Sequence, residues 1–137
     1  PPSVPDTLPL HAPLPILNEY RRLVKAAMAG STGRMLKAAE SLGYVVEGAS
    51  EPYRELVAEL FTLALEPLSS DGPYDFGSSD LSARIAALAE SVQDFRQYWQ
   101  APPGDAIFFH RKVGGMFLLA QRMRARVDLA ASIERCL

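Results

Sequence analysis

Leu81-Ser82-Ala83-Arg84-Ile85-Ala86-Ala87-Leu88-Ala89-Glu90-Ser91-Val92-Gln93-Asp94-Phe95-Arg96-Gln97-Tyr98-Trp99 is the stretch that decides the fold class. Its large apolar residues Leu81, Ile85, Leu88, Val92, Phe95 and Trp99 alternate gaps of four and three, which keeps all six on one face of a helix turning about every 3.6 residues. A strand would need an apolar residue at every second position instead. Beyond Pro102-Pro103-Gly104 the spacing returns in Phe109, Val113, Met116, Ala120, Met123 and Val127. This predicts a further helix from near Asp105, whose charge suits a helix N-terminus. Two bare stripes would leave a large adhesive patch on a small domain. Leu88, Val92, Phe95, Phe109, Val113 and Met116 are therefore expected to be buried in a common core.

Upstream, Leu17, Tyr20, Val24, Ala27 and Met28 recur at helical spacing before Gly30. A second helix is predicted over Arg34–Leu42, with Ser31 or Thr32 to cap it and Gly43 to end it. The short gap between these two makes them antiparallel neighbours. A third helix, from about Glu51 to Glu66, has Ser50 as candidate cap and Pro52 in its first turn, where a missing amide donor costs nothing. Its apolar residues, among them Leu56, Val57, Leu60, Phe61 and Leu65, spread around the circumference, which places it centrally. Pro67 to Ser79 reads as a loop, and Asp128 opens a last short helix. Six of the eleven prolines fall in the first fifteen residues, so residues 1–16 form a proline-rich arm or linker. No stretch shows strand alternation and no internal repeat is present. The fold class is all-α, a compact bundle of about five or six helices over residues 17–137.

The 137 residues carry 14 basic and 16 acidic side chains, a formal net charge of −2. That balance gives no general attraction to nucleic acid, and the aromatic and glycine patterns of common RNA-binding modules are missing. A single cysteine, Cys136, excludes an internal disulfide framework. No apolar run reaches the roughly 18 residues of a membrane span, and the proline-studded start lacks a signal peptide's apolar centre. A cytoplasmic location is expected.

Several short motifs look chemical. Asp75-Phe76-Gly77 spells the magnesium-binding triplet of protein kinases, but no upstream strand lysine, glycine-rich loop or His-Arg-Asp loop accompanies it. A turn in which Gly77 supplies a special backbone conformation and Phe76 tucks inward accounts for it instead. His110-Arg111-Lys112 resembles the start of a kinase catalytic loop, with lysine where the base should stand. Two histidines, His11 and His110, give a zinc site or a histidine-based nucleophile almost no material. Glu51, Glu55 and Glu59 read as a solvated helix face, and Cys136 as a terminal thiol. Gly114-Gly115 interrupts the strongest helical pattern, where each glycine costs about 1 kcal/mol relative to alanine. Close helix packing is the favoured compensation, and backbone approach to a ligand the alternative. Residues 110–137 hold six basic and two acidic side chains, a balance of +4 that leaves −6 for residues 1–109. Arg122, Arg124 and Arg126 form the core of this basic patch at the end of the fifth helix. It can meet the acidic remainder of the same molecule, anionic lipid or a protein partner.

The run from Pro102 through His110-Arg111-Lys112-Val113-Gly114-Gly115 to Leu119, with Arg124-Ala125-Arg126-Val127 after it, resembles the C-terminal portion of the AarF/UbiB family of atypical kinases. Pro73-Tyr74-Asp75-Phe76-Gly77 looks like the loop before it, and Tyr20 to Ala27 with Leu42-Gly43-Tyr44 look like the helical pair following the family's catalytic core. The resemblance implies ATP- and magnesium-dependent kinases or ATPases linked to ubiquinone and other prenyl-lipid biosynthesis, often at membranes. It also implies that the ATP lysine, the nucleotide loop and the metal-binding aspartate lie upstream of the part represented here. His110, Arg111, Lys112, Gly114 and Gly115 carry over as family-pattern positions without an assigned catalytic role. The expectation is thus a non-catalytic helical C-terminal part that braces an upstream kinase lobe and holds no cofactor itself. The alternative is a free-standing helical interaction module.

Overall fold

The structure is a computed structural model that describes residues 15–101 and 104–137. Most of the arm expected over residues 1–16, with His11, and the Pro102-Pro103 break lie outside the described residues. The first helix already opens at Pro15.

Among the described residues, six α-helices and one two-stranded ladder form a mostly helical bundle. Helices α1 (Pro15–Met28) and α2 (Thr32–Ser41) pair through Tyr20, Leu23, Ala26 and Ala27 against Met35, Ala38 and Leu42. The chain reverses at Gly30, whose φ of +66° is in the left-handed region. There the Gly30 amide donates to the Ala27 carbonyl and the Ser31 amide to the Ala26 carbonyl, an arrangement that satisfies a helix's last acceptors and favours glycine.

Helix α3 (Glu51–Ala64) starts after Ser50 with Pro52 in its first turn, and it buries Tyr53, Leu56, Val57 and Ala58. It stops just short of Glu66, which with Pro67 and Leu68 forms a 3₁₀ turn. Helix α4 (Leu81–Glu90) is shorter than its stripe suggests, because Ser91–Phe95 tightens into 3₁₀ geometry. Residues three apart eclipse in that geometry. Phe95 and Tyr98 accordingly both meet Tyr53, with ring centroids 5.7 and 5.5 Å away, while Trp99 turns outward.

Strands β1 (Tyr74–Asp75) and β2 (Arg126–Val127) pair antiparallel, Tyr74 opposite Val127 and Asp75 opposite Arg126. Two residues are too few to leave an alternation in the sequence, and this ladder is a small addition to the helical bundle that the sequence implies. Tyr74, Phe76 and Leu81 form a buried cluster beneath it.

Helix α5 (Gly104–Arg122) departs most from expectation. About 28 Å long at 1.5 Å per residue, it touches the bundle near its two ends. Ala106 is fully buried in the α1–α2 cluster with Phe109 packed beside it, while Phe117 and Ala120 pack on the cluster of Tyr74, Phe76 and Leu81. Between these anchors, beyond His110, no described residue packs on the helix at Gly114 or Gly115. Val113 and Met116 are exposed, which corrects the expected common core, and Leu88, Val92, Phe95 and Phe109 are only half-buried. Gly114 and Gly115 are likewise corrected: among the described residues a Cβ at either position would meet no atom within 4 Å, so no described helix packs against them.

The basic patch also needs correction, because α5 ends at Arg122. Arg124 adopts φ +51°, with its amide donating to the Gln121 carbonyl and the next amide, of Ala125, to the Ala120 carbonyl. This is the same closure as at Gly30, built here on a non-glycine residue. Arg126 then stands on β2. Helix α6 (Leu129–Glu134) follows, capped by Asp128, whose Oδ1 accepts from the Ala131 amide at 3.0 Å.

Candidate functional site

The helix α5 divides the His110–Gly115 motif between two faces. His110 remains exposed overall but directs its ring edge toward α1, and its Nε2 lies 3.0 Å from the Tyr20 hydroxyl and within hydrogen-bond reach of the Tyr44 hydroxyl. The two hydroxyls are 2.9 Å apart, and the His110 ring stacks on Tyr44 at a centroid distance of 5.6 Å. Burial holds His110 below the ordinary histidine range. Burial also raises the hydroxyls of Tyr20 and Tyr44 above the usual phenol range, in Tyr44 reinforced by Tyr20. All three groups are therefore neutral near pH 7, and a neutral ring accepting at Nε2 from a tyrosine fits the geometry. The cluster clips α5 to α1 and to the segment after α2. Tyr20, Tyr44 and His110 are far apart in sequence, so no spacing could have announced the trio.

Arg111, Lys112, Gly114 and Gly115 face solvent. They lie on a broad outer surface with Phe108, Leu118, Leu119, Met116 and Met123, and there Phe108 is 63% exposed, Leu119 58%, Met116 72% and Met123 71%. Lys112 Nζ sits 4.9 Å from the Phe108 ring centroid, a cation–π contact. Arg111 and Arg122 add charge to the same side. A contiguous surface of exposed apolar side chains with cations between them is unusual for a small folded chain.

Asp75 is committed elsewhere. Its Oδ1 accepts from the backbone amides of Gly77 at 3.0 Å and Ser78 at 3.3 Å. Desolvation pushes this carboxyl up, but hydrogen bonds from Ser78 and Gly77 with the charge of Arg126 outweigh it and hold it below the usual range. Phe76 is buried, as expected, and its amide donates to the Ala125 carbonyl at 3.0 Å. Gly77 is explained differently from the sequence expectation. Its φ is not left-handed, but a Cβ there would come within 2.8 Å of the Arg124 Cβ. Arg122, Arg124 and Arg126 thus have three separate settings: an open helix end, a turn pressed on Gly77 and a strand position opposite Asp75. Among the described residues, no group of three or more His, Cys, Asp or Glu side chains is arranged to hold a metal ion. No helix of the described residues is long and apolar enough to cross a membrane.

A second polar cluster lies beneath α4. Arg84 grips both carboxylate oxygens of Glu66 at 2.7 Å and reaches Asp80 at 2.8 Å, while the Tyr74 hydroxyl donates to Glu66 at 2.9 Å. The Arg84 bonds hold Glu66 below the usual carboxylate range. This network ties α4 to the turn after α3 and to β1.

In sequence the chain is similar to atypical kinases. It is 28% identical over 110 residues to the Atypical kinase COQ8B, mitochondrial, of Rattus norvegicus, covering 80% of this chain and 20% of that protein. It is 32% identical over 114 residues to the Atypical kinase COQ8, mitochondrial, of Schizosaccharomyces pombe, covering 81% and 18%. The Atypical kinase coq-8, mitochondrial, of Caenorhabditis elegans matches at 26% over 109 residues, covering 80% and 14%. These matches bear out the resemblance to a C-terminal region of the AarF/UbiB atypical kinases. The chain spans a fifth or less of the length of these curated relatives. No family model and no solved structure matches it.

Proposed function

We propose that this chain is the non-catalytic helical C-terminal part of an AarF/UbiB-like atypical kinase, and that it braces the catalytic lobe through the outer face of α5. The observation that carries the reading is the run of exposed Phe108, Leu118, Leu119, Met116 and Met123 on a helix held at both ends and free along its middle. A soluble domain rarely leaves such a surface uncovered, and relatives five to seven times as long as the match hold the remainder of a kinase to cover it. Gly114 and Gly115 suit the same role, because their missing side chains let a partner's backbone approach.

In this reading the chain holds neither ATP nor magnesium, and the nucleotide chemistry belongs to the upstream lobe. The link to ubiquinone and prenyl-lipid biosynthesis belongs to the same proposal. So does a peripheral position at an anionic membrane, for which Arg122 supplies an exposed charge. The named relatives are mitochondrial, and the cytoplasmic placement read from composition stays an expectation. The free-standing interaction module shares the open face, and a chimera separates the two. With this chain in place of the matched segment of the Schizosaccharomyces pombe protein, Phe108→Asp with Leu119→Asp should lower the chimera's melting temperature by several degrees. The same pair should leave the melting of the isolated chain unchanged or raised. Equal melting of the two chimeras would favour the free-standing module.

A further inference from the structure

We infer that the seam between α1 and α2 is a binding site for a small phosphate-bearing anion of two or more charges. Arg22 and Lys25 on α1 and Arg34 and Lys37 on α2 line an open groove of about 330 Å³, within the size range of small-ligand sites, about 300–1,000 Å³. Its floor is Ala26 and Ala38, which are 2% and 3% exposed. The two helices repeat one pattern: a cation, a second cation three positions on, and an alanine at the fourth. Positions three and four apart share a helix face. Each helix therefore turns an alanine into the seam and lifts two long cationic arms along its edge. The small floor residues bring the helices close, and that brings the four arms to one opening.

Four like charges around one groove repel each other, and little in the chain offsets them. Among the described residues Glu19 is the one acidic residue lining the groove, and it is occupied by Arg22 at 2.8 Å. Glu40, also on α2, pairs with Arg54 instead. Among the described residues Lys25, Arg34 and Lys37 enter no ion pair. The local excess of positive charge opposes the molecule's net −2, so the chain holds it in a place where an anion would relieve the repulsion. Arginine supplies paired donors that match phosphate oxygens and lysine a mobile point charge, and the Ser41 hydroxyl at the groove's edge adds a neutral donor. Among the described residues the groove is lined by no aromatic side chain, and these residues offer no stacking platform of the kind that single-stranded nucleic acid uses.

Pyrophosphate and a lipid phosphate headgroup present the same chemistry, and two arms of one experiment tell them apart. In the first, magnesium-free pyrophosphate is titrated calorimetrically into the 137-residue chain at low salt. We expect saturable binding that weakens about tenfold or more in Lys25→Glu with Lys37→Glu, and weakens further as salt screens the charges. Arg122→Glu with Arg126→Glu should leave it unchanged, and added magnesium, which neutralises the phosphates, should reduce it. In the second arm, the chain is sedimented with phosphatidic acid vesicles and with phosphatidylcholine vesicles. Pyrophosphate binding without vesicle binding identifies a soluble ligand. Binding to phosphatidic acid alone, displaced by pyrophosphate, identifies a headgroup. Amide shifts of Ala26 and Ala38 in the unsubstituted chain locate the site even if the reversed-charge variant fails to fold. Absence of binding in both arms, or binding that the Lys25 and Lys37 substitutions leave intact, would overturn the inference.

Discussion

Gly114 and Gly115 are helical, exposed and free of neighbours among the described residues, so there they carry the helix-propensity cost of glycine with nothing to offset it. Gly114→Ala or Gly115→Ala should each raise the stability of the isolated chain by about 0.5–1 kcal/mol, measured by denaturant unfolding. In a chimera with the kinase portion of a relative, the same substitutions should lose that gain, because a methyl group then meets the docked lobe. His110 makes a different kind of prediction. Burial lowers its pKa in the folded chain, so between the folded value and about 6.5 the unfolded state holds the extra proton. Stability is then fully present above about pH 6.5 and falls as pH drops through that window toward the folded value. His110→Gln cannot titrate and should flatten the pH dependence across it. Glu66, held low by Arg84, loses its contribution only at more acid pH, below its ordinary carboxylate value, so the two windows can be separated in one pH series of melts.

At the scale of elements, Glu66 and Arg84 show what a single interaction adds. Their paired 2.7 Å contacts join α4 to the turn after α3, yet the two side chains remain 32% and 40% exposed. Solvent therefore screens much of the attraction, and Arg84→Ala should cost about 1 kcal/mol, checked by thermal melting. Helix existence was legible in the sequence because it follows from local periodicity and stop residues. Gly30 and Gly43 end α1 and α2 as their positions imply. The end of α5 was not legible, because Arg124 takes a left-handed conformation that glycine usually holds. Nor was the β1–β2 ladder, which joins residues about fifty positions apart by backbone bonds alone. The stripe of α5 was read correctly as helical and wrongly as buried, since periodicity names a face but does not say which molecule covers it. The cations of the α1–α2 seam were not legible for another reason. A charge count over residues 1–109 averages them with the fourteen acidic residues of that stretch, of which only Glu19 is among the described residues that line the groove.

At the scale of the whole molecule, the central claim is that the outer face of α5 is covered when the kinase lobe is present. The methionines report this directly. Met116 and Met123 are 72% and 71% exposed, whereas Met35 is 4% exposed in the α1–α2 core. Oxidation to the sulfoxide follows solvent access, so in the isolated chain Met116 and Met123 should oxidise quickly and Met35 slowly. The deciding measurement is hydroxyl-radical footprinting, read by mass spectrometry, of the isolated chain and of the chimera with the Schizosaccharomyces pombe kinase portion. The account predicts that Met116 and Met123 slow toward the rate of Met35 in the chimera, while Met35 itself is unchanged. Equal, fast oxidation of Met116 and Met123 in both proteins would contradict it, because the face of α5 would then stay open with the lobe in place.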